Sequence, residues 1–161
     1  MWKTGHSLIK AKMAEEDAEL AGEMRGHCFF RERGFGLDDG IYAAARLLEI
    51  LAAAPEGIQT LFDALPSAES TPELKVELKE GEQHAFIERF VAKAQFEGAR
   101  INTIDGIRAD WPDGWGLVRA SNTTPVLVLR FEAESKERLA QIQQVFRGQL
   151  LAVSPDLALP F

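Results

Sequence analysis

The chain has 161 residues, 46% of them hydrophobic, so it is long enough to bury a core and to form one or two domains. A formal net charge of −7 argues against nucleic acid and against an anionic membrane surface as partners, because both attract basic proteins. The single cysteine, Cys28, excludes an internal disulfide and fits a reducing compartment. No apolar run approaches the roughly 18 residues of a membrane span, and the N-terminus lacks the apolar segment of a signal peptide. We therefore expect a cytoplasmic globular protein.

The N-terminal part of the chain predicts three helices, the last a short one around Ile58, Leu61, Phe62 and Leu65 that stops at Pro66. The first is expected after Thr4 or Ser7, since either side chain can cap it. Its apolar face comprises Leu8, Ile9 and Met13. The second is expected to begin with Asp39 as its N-cap, and its apolar positions follow helical spacing, which predicts one buried face. These positions are Ile41, Ala44, Ala45, Leu48 and Leu51.

Between the first and second of these helices, two glycines flank a short charged segment. Residues 22–27 are Gly-Glu-Met-Arg-Gly-His, and they stand directly before Cys28-Phe29-Phe30. Glycines beside an apolar run favour a loop that leaves one short strand and enters another. Taken alone, Glu23 is typical of a solvated carboxylate and His27 of a half-buried strand residue.

Residues 66–72 are the best linker in the chain, because two prolines enclose small polar residues. We place the domain boundary there, which gives domains 1–66 and 67–161. After the linker, apolar residues alternate with charged ones from Leu74 to Lys79, the pattern of a half-buried strand.

The rest of the second domain predicts an α+β fold with an antiparallel sheet. A helix carrying Phe86 and Phe90 follows the first strand, and Ser135 is the expected N-cap of a last helix. Between the two helices we expect strands at 101–104, 107–111, 115–120 and 126–133, the first two joined by a two-residue hairpin at Asp105-Gly106. Hairpin-joined strands pair antiparallel, and two amphipathic helices are available to cover the sheet.

The last hairpin carries the segment Arg-Ala-Ser-Asn-Thr-Thr-Pro at residues 119–125. Five of its side chains can donate hydrogen bonds and none is negatively charged. A turn with free backbone N–H groups, hydroxyls and one guanidinium can hold a phosphate or a carboxylate. Serine, asparagine and proline are also standard turn residues, so an ordinary hairpin connection explains the segment equally well.

Taken together, these motifs resemble loops of the α-D-phosphohexomutases, the nearest subgroup being the bacterial phosphomannomutase/phosphoglucomutases. Residues 22–27 and 119–125 resemble two loops of that family, while Thr4-Gly5-His6-Ser7 and Asp38-Asp39-Gly40 match two further segments. The resemblance extends from Trp2 to Phe161. It implies the end of the third of four domains, a partial α/β domain, followed by a fourth domain whose fold is like that of TATA-box-binding protein. This likeness of fold implies no DNA binding.

In that family the first loop binds the sugar and the second binds the substrate phosphate. The resemblance implies that Glu23 accepts hydrogen bonds from sugar hydroxyls, and that His6 and His27 line the sugar site as ligands or as contributors to proton transfer. It implies hexose phosphates, the 1- and 6-phosphates of glucose or mannose, as ligands. The implied substrate-binding residues are His6, Glu23, Met24, Arg25, Gly26, His27, Arg119, Ala120, Ser121, Asn122 and Thr123.

The sequence departs from the family pattern in two ways. The family's phosphoserine loop (Thr-x-Ser-His-Asn-Pro) and metal loop (Asp-Gly-Asp-Gly-Asp) do not occur in these residues. We therefore expect this chain alone to be inactive and to bind no metal, with Mg²⁺ and the missing N-terminal domains belonging to the full-length enzyme. In addition, Arg25 stands where the family has serine. It can pair with Glu23 and block the sugar, or it can add a phosphate contact.

Three hypotheses follow for the function of the chain. The first is the C-terminal part of a phosphohexomutase, and the second is a free-standing, non-catalytic module that binds sugar phosphates. The third is a degenerate interaction protein in which Arg25 marks the loss of the sugar site. Because part of the third domain is missing, residues 1–66 are expected to expose apolar surface, and to be less stable than 72–154 or to self-associate.

Overall fold

The computed structural model describes every residue from Met1 to Phe161, and the chain divides into the units Met1–Pro66 and Ser67–Phe161. The first unit contains a three-stranded antiparallel sheet in the order β1-β2-β3 and three helices. Its elements are α1 (His6–Glu15), β1 (Leu20–Gly22), β2 (Cys28–Phe30), β3 (Leu37–Asp38), α2 (Gly40–Ala53) and α3 (Ile58–Asp63). No helix in either unit combines the length and the apolar character needed to cross a membrane.

The two N-terminal helices begin in different ways. Gly5 is the N-cap of α1, at φ 135°, and no side chain caps that helix, so the predicted cap at Thr4 or Ser7 was wrong. The predicted cap of α2 is confirmed, because the Asp39 carboxylate accepts from two backbone N–H groups of the first turn at 2.9 and 3.1 Å. A charged acceptor at a helix N-terminus also interacts favourably with the helix dipole.

Helix α2 does not bury the face predicted from its apolar spacing. Ile41 is 86% exposed and Leu48 is 64% exposed. The side chains that face the sheet are Tyr42, whose ring lies edge-on to Phe30 at 5.6 Å, and Arg46, whose guanidinium lies 5.1 Å from the same ring. The prediction was wrong because the helix packs on the unit through one aromatic ring and charged side chains. Its aliphatic stripe faces solvent.

The first unit therefore has a very small core. Only Ile9, Met13 and Phe29 form its buried cluster, with Ala18 and Ala21 packed against them. Of the 17 large hydrophobic residues that are exposed in the chain, 14 lie between Met1 and Leu65. This agrees with the expectation of uncovered apolar surface in residues 1–66.

The second unit is a six-stranded antiparallel sheet with two helices. Its elements are β4 (Glu69–Ser70), β5 (Leu74–Glu77), α4 (Glu82–Lys93), β6 (Arg100–Asn102), β7 (Ile107–Trp111), β8 (Gly114–Ala120), β9 (Val126–Ala133) and α5 (Lys136–Val153). The strand order is β4-β9-β8-β7-β6, with β5 also pairing with β9. The structure confirms the α+β fold class, and from β5 onward it confirms the predicted order of strand, helix, four strands and helix.

Both helices pack on the same face of this sheet. Phe146 of α5 contacts Phe131 of β9 and Phe96, with ring centroids 5.2 and 4.4 Å away. Gly116 of β8 leaves room for that ring, because a Cβ added there would lie 2.4 Å from Phe146 Cε2. Fourteen buried side chains form one core between the helices and this face. The opposite face of the sheet carries no helix of this unit.

Two strand predictions need correction. Strand β6 ends at Asn102 rather than at residue 104, because the Asn102 side chain accepts from the backbone N–H of Ile104 at 2.9 Å and turns the chain early. The β6–β7 connection therefore has four residues, 103–106, and not two. The sequence also gave no sign of β4, which lies inside the predicted linker and pairs with the end of β9. A strand of two polar residues has no periodicity that could reveal it.

The difference between the two cores predicts a difference in local stability. We expect native-state hydrogen exchange to be much faster for β1, β2 and α2 than for β7, β8 and β9, because little apolar area opposes local opening in the first unit. Exchange followed by mass spectrometry on the 161-residue chain at several concentrations measures this. Equal protection of both units in a monomer would contradict it.

Candidate functional site

The loop between β8 and β9 is organised by a buried hydroxyl. Ser121 is the one polar residue of the chain that is buried, at 7% exposure. Its Oγ accepts from the backbone N–H groups of Thr123 at 3.3 Å and Thr124 at 3.2 Å, and it shares a hydrogen bond with Thr124 Oγ1 at 2.9 Å. The backbone closes the loop below it, since Ser121 N–H donates to Val126 O at 3.0 Å. The loop is thus held in one shape by its own side chain.

This arrangement changes the expected role of two backbone groups. The segment was expected to form a turn with free backbone N–H groups, but those of Thr123 and Thr124 are already used by Ser121. The side chains of Asn122 and Thr123 are exposed at the tip of the loop. Hydroxyl and amide donors at this tip, more than backbone groups, are therefore available to a ligand.

Arg119 lies at the end of β8, directly before the loop. It is half-buried, pairs in register with Val128, and its Nη1 donates to the backbone O of Ala120 at 3.3 Å. It makes no ion pair with any carboxylate. Ala120 is buried where the strand ends and supplies that carbonyl. A half-buried guanidinium without a carboxylate partner is suited to bind an anion.

In the first unit, residues 23–27 form the hairpin loop between β1 and β2. Glu23 N–H donates to His27 O at 2.9 Å, and Gly26 N–H donates back to Glu23 O at 3.0 Å. Gly26 has φ 86°, in the region that glycine adopts without strain. Met24 and Arg25 are exposed at the tip, while Glu23 is half-buried and its carboxylate accepts no hydrogen bond from the protein. This carboxylate is therefore free to accept from a ligand.

His27 has a partner that the sequence motifs did not reveal. Its Nδ1 lies 2.8 Å from Asp38 Oδ2. Strands β2 and β3 bring the two side chains together, because Phe29 and Asp38 face each other in the ladder. A carboxylate at this distance favours the proton on Nδ1 and leaves Nε2 as the ring nitrogen available to a ligand. No local pattern could have found this pair, since eleven residues separate its members.

Charged side chains hold α2 beside this hairpin. Arg33 donates to both oxygens of Glu49 at 3.0 Å, and Arg46 donates to Glu32 at 2.7 Å. The hydrogen bond from Arg33 lowers the pKa of Glu49, and that from Arg46 lowers the pKa of Glu32. These ion pairs are exposed, so they orient the helix more than they stabilise it.

The remaining predicted site residue is His6, the first residue of α1. Its side chain is exposed and forms no hydrogen bond or ion pair. No group of three or more His, Cys, Asp or Glu side chains in the chain could hold a metal ion. The residues present therefore do not form a magnesium site, and no role below depends on them as metal ligands.

Two family models match the chain, and together they account for most of it. Residues 1–68 match the phosphoglucomutase/phosphomannomutase alpha/beta/alpha domain III, and residues 73–149 match the phosphoglucomutase/phosphomannomutase C-terminal domain. The two matches follow each other in the order expected from the resemblance.

Individual proteins agree with the models. The chain is 57% identical over 161 residues to a phosphomannomutase/phosphoglucomutase of Pseudomonas syringae pv. tomato, covering 100% of this chain and 35% of that protein. It is 54% identical over 162 residues to a phosphoglucomutase of Neisseria gonorrhoeae, covering 99% of this chain and 35% of the relative. It also superposes with a TM-score of 0.90 on the crystal structure of a phosphoglucomutase/phosphomannomutase family protein from Burkholderia thailandensis, at 54% identity, covering 100% of this chain and 34% of that one.

The chain thus spans about a third of the length of the curated relatives it matches. The domain III match precedes the C-terminal domain match, and the second unit is an antiparallel sheet with two helices. The chain belongs to the phosphoglucomutase/phosphomannomutase family and comprises part of its domain III followed by its C-terminal domain.

Proposed function

We propose that the chain is the C-terminal part of a phosphomannomutase/phosphoglucomutase that interconverts hexose 1-phosphates and hexose 6-phosphates. Within it, the 119–124 segment binds the phosphate of the substrate and the 23–27 hairpin binds its sugar. The observation that carries this proposal is Arg119, a half-buried guanidinium with no carboxylate partner, beside a loop shaped by a buried serine.

The phosphate loop is preorganised for its ligand. Because Ser121 already fixes the turn through Thr123 and Thr124, binding does not have to order the backbone, and less of the interaction free energy is lost. Arg119 then provides the positive charge, and Asn122 with Thr123 offers uncharged donors at the tip. Charge-assisted hydrogen bonds from a guanidinium contribute about 1.5–3 kcal/mol each.

The hairpin supplies complementary chemistry for a sugar. The Glu23 carboxylate can accept from two adjacent hydroxyls. Glucose and mannose differ at C2 but share equatorial hydroxyls at C3 and C4, so a carboxylate that reads only those two tolerates both sugars. His27, with Nδ1 held by Asp38, presents Nε2 to accept a hydrogen bond or a proton from a hydroxyl.

These residues bind and orient a substrate but do not supply a phosphoryl group. The sequence lacks the phosphoserine and metal loops implied by the family resemblance. Phosphoryl transfer depends largely on positioning and charge stabilisation, and magnesium bound elsewhere in a full-length enzyme would supply part of the latter. The alternative, a free-standing module that binds sugar phosphates, predicts no such loops encoded in frame upstream of Met1.

Binding by the chain itself tests the two assigned roles separately. Titration with inorganic phosphate, glucose 1-phosphate or mannose 1-phosphate, followed by calorimetry, should show Arg119→Ala weakening all three ligands by about 10-fold or more. Glu23→Ala should weaken only the two sugar phosphates. Lys93→Ala, which removes one exposed positive charge at the end of α4, is the matched control. No heat from the unaltered chain at millimolar ligand would exclude the free-standing module and the two binding roles assigned to this chain.

Ser121→Ala tests whether the loop is preorganised. Removing Oγ leaves two backbone N–H groups without their acceptor, so we expect the second unit to lose about 1–2 kcal/mol of unfolding free energy. Phosphate should bind several-fold more weakly, and the amides of Thr123 and Thr124 should exchange faster. Urea denaturation and amide exchange by NMR measure these effects. Thr103→Ala, the loss of an exposed hydroxyl in another hairpin of the same sheet, should change none of them.

The pairing of His27 with Asp38 predicts a tautomer. Long-range ¹H–¹⁵N spectra of the neutral imidazoles should show His27 protonated at Nδ1, and Asp38→Ala should remove that preference. His84, an exposed histidine without a partner, serves as a reference in the same spectrum. If His27 resembles His84 in the unaltered chain, Asp38 does not orient it.

A further inference from the structure

The face of the second sheet that α4 and α5 leave open carries a second arginine beside Arg119. In β9, Leu127, Leu129 and Phe131 point into the core beneath the helices. Side chains alternate along a strand, so the residues between them, Val128 and Arg130, lie on the open face, where Val128 is itself only 6% exposed. In β8, Arg119 stands between the buried residues Val118 and Ala120 along the strand, so it lies on the open face as well.

The register of the hairpin makes the two arginines neighbours. Arg119 faces Val128, while Arg130 faces Leu117, one row further from the loop. The two therefore stand diagonally across the β8–β9 pair. Diagonal neighbours on one face have their Cα atoms about 7–8 Å apart, a distance that long side chains span easily. Both guanidiniums can thus reach one small ligand next to the loop.

Neither arginine forms an ion pair, although Glu132 lies two residues from Arg130 on the same face and the β5–β9 register continues to Glu73 opposite Arg130. The side chain of Arg130 is half-buried and makes no hydrogen bond and no ion pair. A third arginine of this face, Arg108, behaves differently, since it pairs with Asp110 at 2.8 Å and stacks on the ring of Trp115 at 3.9 Å.

The other carboxylates near this face also have partners. Glu132 accepts from the indole N–H of Trp115 at 3.2 Å. Glu73, the residue before β5, lies 3.9 Å from the Lys75 ammonium. Two unpaired like charges next to each other oppose folding unless something compensates them. An anion on the open face would do so.

We propose that Arg130 is a second guanidinium of the phosphate site and forms with Arg119 a two-arginine clamp for a phosphate monoester dianion. The inference rests on the proposed function and adds to it a binding residue outside the 119–125 loop motif. A phosphate dianion offers several acceptor oxygens, and the planar fork of each guanidinium can engage two of them. Arg119 binds from the loop end of the sheet and Arg130 from one row below.

Phosphate binding to the 161-residue chain tests this with four variants. Arg130→Ala should weaken inorganic phosphate and glucose 1-phosphate by about 10-fold each, as expected for the loss of one charge-assisted partner. Arg130→Met keeps the apolar stem that packs on the sheet and should weaken binding equally, whereas Arg130→Lys should recover part of the affinity. Arg89→Ala removes an arginine from α4, on the covered side of the sheet, and should leave binding unchanged.

The measurement is an NMR titration of the amides of residues 119–124, with thermal unfolding of each variant as a check on the fold. If the unaltered chain binds phosphate and Arg130→Met binds it equally well, the clamp is excluded while the phosphate site itself remains. If the unaltered chain binds no phosphate, the clamp and the phosphate-binding role assigned to this chain are both excluded. Weakening by Arg130→Met as large as that by Arg89→Ala would also exclude the clamp, because both would then reflect general charge.

Discussion

The close contact between Gly116 of β8 and the ring of Phe146 determines how the second unit is built. No larger residue fits at position 116, since a Cβ there would lie 2.4 Å from the ring. The contact fixes helix α5 on β8 and β9 and so decides which face of these strands is buried. Because side chains alternate strictly along a strand, burying Val118 and Phe131 requires Arg119 and Arg130 to lie on the other face. The position of the positive charge thus follows from core packing.

The first unit rests on a much weaker constraint. Its hairpin is supported by three buried side chains and by ion pairs at the surface, and surface ion pairs contribute little free energy. The 23–27 loop on such a framework can change conformation at little cost in free energy. The 121–125 loop, in contrast, stands on a sheet with a continuous core and is fixed by Ser121. The two loops therefore differ in rigidity because of the cores beneath them and, in the 121–125 loop, because of the hydrogen bonds of Ser121.

The sequence predicted well those elements whose periodicity matches their burial. In strand β5 apolar and charged residues alternate as burial does, and in helix α5 the buried residues Ile142, Phe146 and Leu150 recur at helical spacing. The Asp39 cap follows from its side chain alone. The prediction of a buried face on helix α2 was wrong because its apolar stripe is not covered in this chain. The spacing of apolar residues cannot show what they pack against. The same limit applies to the site. Residues 119–125 were identified from their chemistry as a candidate anion loop, but the use of Ser121 Oγ by the loop itself depends on geometry.

Contacts between distant residues were beyond prediction for the same reason. His27 and Asp38 meet only because β2 and β3 pair, and Arg119 and Arg130 become neighbours only through the register of one hairpin. Once that register is known, the arginines of the open face differ in whether they form an ion pair with a carboxylate. Arg108 has its carboxylate at 2.8 Å, so an anion would have to compete with Asp110 for it. Arg119 and Arg130 have no such competitor, and a dianion between them would gain two attractions while relieving one repulsion.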